Sequence, residues 1–136
     1  MSSCWINWLL LLSLIVYSVG SVSGAWYPRT HVLINNDIGA GTQLTVHCKS
    51  KDDDLGPHVL AYRQQYDFSF HPHFFRETLF FCGMQWNGTL YWFDIYDQYR
   101  DGYRCKKHCE WNVKTWGACQ LNHETSKFDI CYDWNK

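Results

Sequence analysis

Six cysteines between positions 48 and 131 constrain this chain more than any other feature, because each lies in or beside a short apolar run bounded by polar turn residues. Cys48 closes an alternating segment, Cys82 ends the run Thr78-Leu79-Phe80-Phe81-Cys82, and Cys105, Cys109, Cys119 and Cys131 punctuate the carboxy-terminal third. An even set of thiols spread this way reads as a disulfide framework, which forms and persists in an oxidising compartment. Spacing alone does not choose among the possible pairings.

The amino terminus supports that compartment. Residues 1–28 carry no charged side chain, and an apolar run over 8–19 is followed by small residues over 20–25. This is the pattern of a secretory signal peptide spanning 1–24, with cleavage near Gly24 or Ala25, and it removes the seventh cysteine, Cys4. The n-region lacks Lys and Arg, which raises a retained anchor as the competing reading; the run is shorter than the roughly 20 residues a membrane-spanning helix needs. Residues 25–136 then form a single domain, with no later segment suited to membrane insertion. A domain this small buries a core with little margin, so covalent cross-links contribute noticeably to its stability.

Charge excludes one class of partner. The chain carries 12 basic and 13 acidic residues, with the basic ones scattered, so no electrostatic footprint for nucleic acid is present. Its seven histidines add positive charge only in mild acid.

Short β-type runs separated by turn residues predict an all-β fold. Strands are expected over 31–35, 43–49, 59–62, 66–70, 78–86, 89–97, a pair within 109–119, and 128–134. A polar turn is expected over 50–57, and His71-Pro72-His73 breaks the pattern. Asn87-Gly88 suits a two-residue type I′ turn, whose central positions need positive φ. Counting outward from it places Trp86 opposite Thr89, Met84 opposite Tyr91, Cys82 opposite Phe93 and Phe80 opposite Ile95 on one apolar face. Gln85, Asp94 and Tyr96 fall on the other face with Phe81 and Trp92. The expected architecture is a small disulfide-stapled β-sandwich of about seven or eight antiparallel strands.

No arrangement of residues builds an active site in the sequence. Cys105-x3-Cys109 with His108 has zinc-ligand chemistry, but thiols in a secreted chain oxidise instead. Asp52-Asp53-Asp54 lacks the alternate spacing of a calcium loop and reads as a solvated acidic turn. His47 lies near Ser50 and Asp52 inside a predicted strand, a structural position; no nucleophile elbow or phosphate loop is present. We therefore expect no catalytic, cofactor or metal site. Asn87-Gly88-Thr89 is a glycosylation sequon at the hairpin tip. The segment carrying Asp97, Tyr99, Arg100, Asp101, Tyr103, Arg104, Lys106 and Lys107 combines residue types that anchor protein interfaces, which makes it the candidate receptor-contact loop.

Three blocks in fixed order resemble the plant self-incompatibility S1 family of small secreted proteins, also called S-protein homologues. They are His47-Cys48-Lys49-Ser50-Lys51-Asp52-Asp53-Asp54-Leu55-Gly56, the Thr78 to Cys82 run, and Cys109-x-Trp111 with Gly117-x-Cys119. The resemblance implies a β-sandwich and pairing among Cys48, Cys82, Cys109 and Cys119, which leaves Cys105 with Cys131. Members commonly place a glycine at the turn in segment 61–65, and its absence here predicts a longer hairpin. It also implies an extracellular ligand read by a cell-surface receptor, a pollen membrane protein in the family's founding role, where self pollen is rejected. The alternatives are a secreted defence or carbohydrate-binding protein and a signalling ligand outside self-incompatibility.

Overall fold

The computed structural model describes residues 28–73 and 75–134, so the expected signal peptide lies outside the described residues. Nine strands form in chain order: β1 Thr30–Asn36, β2 Leu44–Lys49, β3 Asp54–Leu60, β4 Gln65–Phe70, β5 Leu79–Trp86, β6 Thr89–Asp97, β7 His108–Val113, β8 Gly117–Asn122 and β9 Lys127–Asp133. A single helical turn, α1 Gln98–Asp101, lies between β6 and β7. Five strands in the order β4-β1-β7-β8-β9 face four in the order β3-β2-β5-β6. The all-β sandwich is as expected; the nine strands among the described residues match the nine segments marked in the sequence and exceed the estimate of seven or eight, and one neighbour pair, β1 with β7, is parallel.

Alternation builds the core. Val32, Ile34, Leu44, Val46, Trp111 and Val113 are fully buried, while their neighbours along each strand face outward. Each large side chain withdrawn from water stabilises the fold by roughly 1.5–3 kcal/mol. Much of this burial is aromatic. Phe70, Phe80 and Tyr96 pack near one end of the sandwich, and Trp86, Tyr91 and Trp134 stack near the other.

The Asn87-Gly88 hairpin forms with both central residues at positive φ, and pairs Trp86 with Thr89, Met84 with Tyr91 and Cys82 with Phe93. Beyond Phe81 a bulge shifts the register, so Phe80 faces Tyr96 and not Ile95. The extra residue turns Tyr96 inward, where it is 1% exposed, against its expected outward position.

Two turns also differ from expectation. β3 begins at Asp54, which shortens the polar turn to 50–53, and Pro57 is accommodated because β3 is an edge strand. Residues 61–64 form a tight turn and not a longer hairpin: Gln64 N–H donates to Ala61 O at 2.9 Å, and Arg63 adopts a φ of 68° without glycine. This turn carries the chain from the edge of one sheet to the edge of the other.

The disulfides join Cys48 to Cys82, Cys105 to Cys109 and Cys119 to Cys131. The expected Cys105–Cys131 pair and any pairing of Cys109 with Cys119 are therefore corrected. Register decides the outcome: Cys48 lies opposite Cys82 on neighbouring strands, and Cys119 opposite Cys131. Cys109 points into the core alongside Trp111, whereas Cys119 lies opposite Asn112 on the other face. Among the described residues no bridge ties one sheet to the other.

Candidate functional site

Because the strands run alternately up and down, turn 50–53, loop 71–78, crossover 98–107 and turn 123–126 share one end of the sandwich, and the two longest connections are among them. Five histidines gather there or beside it, namely His31, His71, His73, His108 and His123. The His31 and His108 rings stack at 5.1 Å, and His123 Nε2 lies 2.9 Å from the His108 carbonyl.

The crossover is anchored from beneath. Asp97 caps α1, its carboxylate accepting the Tyr99 N–H at 3.0 Å. Asp101 is fully buried, and its carboxylate accepts from Arg100 Nε at 2.9 Å and Nη2 at 2.7 Å, from Asp97 N–H at 2.9 Å and from Gln120 Nε2 at 3.0 Å. The Arg100 guanidinium lies 5.1 to 5.5 Å from the ring centres of Phe93, Trp111 and Tyr132, which come from both sheets. Burial opposes the charge on Arg100, but hydrogen bonding and attraction to Asp101 outweigh it and hold its pKa above the ordinary value. Arg100 and Asp101 are therefore structural anchors, and their expected place in a receptor-contact surface is corrected. Tyr99, Tyr103, Arg104, Lys106 and Lys107 remain exposed, Tyr99 by 77% and Tyr103 by 88%. Asp97 is half-buried.

The acidic block works locally. Asp54 Oδ1 lies 2.5 Å from His47 Nε2 and accepts the Gly56 N–H at 2.9 Å, with Lys49 at 3.8 Å from its other oxygen. The His47 hydrogen bond, then that of Gly56, hold the Asp54 carboxyl below its ordinary pKa. Asp52 pairs with Arg76 and lies 3.5 Å from His73, joining turn 50–53 to loop 71–78. A cavity of about 230 Å³ lies between those segments, with Phe70 and Phe80 among its walls. Ser50 Oγ accepts the Asp53 N–H at 3.1 Å, which makes it a turn residue. Among the described residues no group of three or more His, Cys, Asp or Glu is placed to hold a metal ion.

Arg100 in its aromatic surround was not legible beforehand; the available signal was the Asp97 cap followed by a short polar turn. Phe81 and Trp92 share the outer face of the four-stranded sheet as expected: Trp92 is 50% exposed, 5.9 Å from Phe81, with Leu90 beside it. The sequon residue Asn87 is exposed at the end opposite the crossover.

Comparison with known proteins bears on this arrangement. The sequence profile described as plant self-incompatibility protein S1 matches residues 31–134. The chain belongs to this family. It is 41% identical to S-protein homolog 29 of Arabidopsis thaliana over 93% of this chain and 94% of that one. It is 45% identical to S-protein homolog 2 of the same plant, over 77% and 68% respectively. A solved self-incompatibility protein homologue, from a widespread family of small, highly stable, secreted plant proteins, superposes with a TM-score of 0.58 at 14% identity, covering 82% of this chain and 98% of that one. The protein is thus a secreted member of a family that is not a known enzyme family, and among the described residues no helix is long and apolar enough to cross a membrane. The shared blocks acquire physical reasons here. Cys48 and Cys82 bridge neighbouring strands, and Trp111 packs under Arg100. Gly117 is required because a Cβ there would stand 2.0 Å from the Tyr132 carbonyl oxygen.

Proposed function

We propose that this protein is an extracellular ligand recognised by a cell-surface receptor through the crossover end, and that residues 1–24 are removed as a signal peptide. One observation carries the reading. Tyr99 and Tyr103 stand exposed beside Arg104, Lys106 and Lys107 on a segment held rigidly by Arg100, Asp101 and the Cys105–Cys109 bridge. Amphipathic anchors on a preorganised support lose little entropy on binding. Rejection of self pollen is one such role, and signalling outside self-incompatibility is another. A glycan at Asn87 would sit at the opposite end and leave the crossover free.

The test is saturable binding of labelled, oxidised mature protein to living pollen and to other cells of the same plant. Replacing Tyr99 and Tyr103 by alanine is expected to weaken binding about tenfold or more, with the thermal midpoint unchanged, whereas Asn87→Gln leaves binding intact. Full binding by the tyrosine variant would overturn the assignment of the crossover.

A carbohydrate-binding role is the second reading, favoured by half-exposed Trp92 beside Phe81 and Leu90 on a flat sheet face. It requires that Trp92→Ala or free sugar abolish cell binding while the tyrosine variant binds normally.

A further inference from the structure

Beneath the crossover, between the segment entering β1 and loop 71–78, lies a cavity of about 280 Å³. Thr30, Tyr96 and Gln98 line it below, Pro28 and Pro72 border it, and Lys106 and Lys107 stand exposed around it. Two cations near in sequence to the lining residues are committed elsewhere: Arg100 to Asp101, and Arg29 to Ser69. Among the described residues no carboxylate forms an ion pair with Lys106 or Lys107. Both lie inside the short ring closed by Cys105–Cys109, which holds Lys106 at a φ of 51°. A residue with a Cβ adopts that conformation only where its surroundings enforce it.

From this arrangement we propose that the cavity is a carboxylate-binding site for an acidic peptide segment of a protein partner. Two unpaired ammonium groups supply the charge complementarity. The Tyr96 phenol, hydrogen-bonded to Thr30, is pushed above its ordinary pKa first by burial and then by the Asp101 and Asp97 carboxylates, of which Asp101 is paired with Arg100 and Asp97 caps α1. A cavity of about 280 Å³ has room for an acidic side chain. Exposed Tyr99 and Tyr103 on the same segment extend the surface with residue types that anchor protein partners. A nucleic acid would need a basic stripe, which this confined pair does not form. The proposal rests on the receptor reading above and adds the chemistry that the receptor must present.

The probe is a fluorescein-labelled hexaglutamate peptide, titrated against the oxidised mature protein at low and at physiological ionic strength, with polygalacturonate as a parallel ligand. Saturable peptide binding that weakens with salt, and falls about tenfold in Lys106→Gln/Lys107→Gln but not in Arg63→Gln at the other end, is the expected result. Carbodiimide coupling of the peptide to the unaltered protein gives an independent readout: cross-links should concentrate on Lys106 and Lys107. Absent peptide binding, equal binding by the lysine variant, binding of polygalacturonate alone, or cross-links spread evenly over Lys51, Lys114 and Lys127 would each overturn the site. Peptide binding through these lysines without any cell binding sinks the receptor reading and leaves the site standing. Tyrosine-dependent cell binding without peptide binding does the reverse.

Discussion

The two ends of the sandwich close the same strands by different means. At the end carrying connections 37–43, 61–64, 87–88 and 114–116, three of the four connections are turns of two to four residues, and one ion pair, Lys114 with Asp37, joins the first connection to the last. Asn36, fully buried, donates to the carbonyls of Thr42 at 2.9 Å and Leu60 at 3.0 Å, while Asn87 and Gly88 supply positive φ. At the opposite end the two longest connections, 71–78 and 98–107, are held largely by side chains: Arg100 and Asp101 with Gln120, Asp52 with Arg76, and the Cys105–Cys109 bridge inside the crossover. Neighbouring residues can hold a short turn with backbone bonds, whereas a long connection needs partners from elsewhere to offset its conformational entropy. Surface residues of the long crossover are thereby released from structural duty, which is where Tyr99, Tyr103, Lys106 and Lys107 stand.

The sharpest way to break this comparison is to remove the anchor at each end. Asp101→Ala leaves Arg100 partly buried without its carboxylate and is expected to cost about 3–5 kcal/mol, against about 1–3 kcal/mol for Asn36→Ala, which strands two carbonyls. Equilibrium urea unfolding measures both. Equal losses would mean that the two ends are held alike.

The bridges offer a second, graded test. Loop-closure entropy predicts losses of about 4 kcal/mol for removing Cys48–Cys82, about 3 for Cys119–Cys131 and about 2 for Cys105–Cys109, following sequence separations of 34, 12 and 4. Paired alanine substitutions compared by calorimetry should reproduce that order. The smallest stability loss should accompany the largest loss of cell binding, since that bridge shapes the crossover; any other coincidence separates the crossover from recognition.

The smallest expected effect is pH-dependent. Asp54 has a folded-state pKa below its unfolded value, so the stability it contributes is present at neutral pH and is lost as pH falls through that depressed value, below the ordinary aspartate range near about 4. Wild-type protein should exceed Asp54→Asn slightly in urea midpoint at pH 6, with the gap closing in strong acid. A gap that persists in acid would assign the effect to packing and not to the carboxylate.

Much of this was legible in particular residues. The alternation in β2 and the Asn87-Gly88 turn yielded strands, inward faces and three cross-strand pairs, because period-two patterning and positive-φ chemistry are local. The bulge at Phe80 and Phe81 was not legible, since one inserted residue leaves the hydrophobic pattern intact while reversing Tyr96. Nor was the role of Arg100 and Asp101, which sit in a string of charged and aromatic residues indistinguishable from a solvated loop.

By itself the sequence determined the all-β class, the family, the oxidising compartment and the position of one hairpin, all of which depend on neighbouring residues or on short ordered blocks. Only the tertiary structure decided which cysteines meet, which sheet each strand joins and which crossover residues face solvent. Those outcomes depend on register and on contacts between segments as much as 77 residues apart, as in Asn35 with Asn112, and no local pattern specifies which distant partner a buried side chain will find.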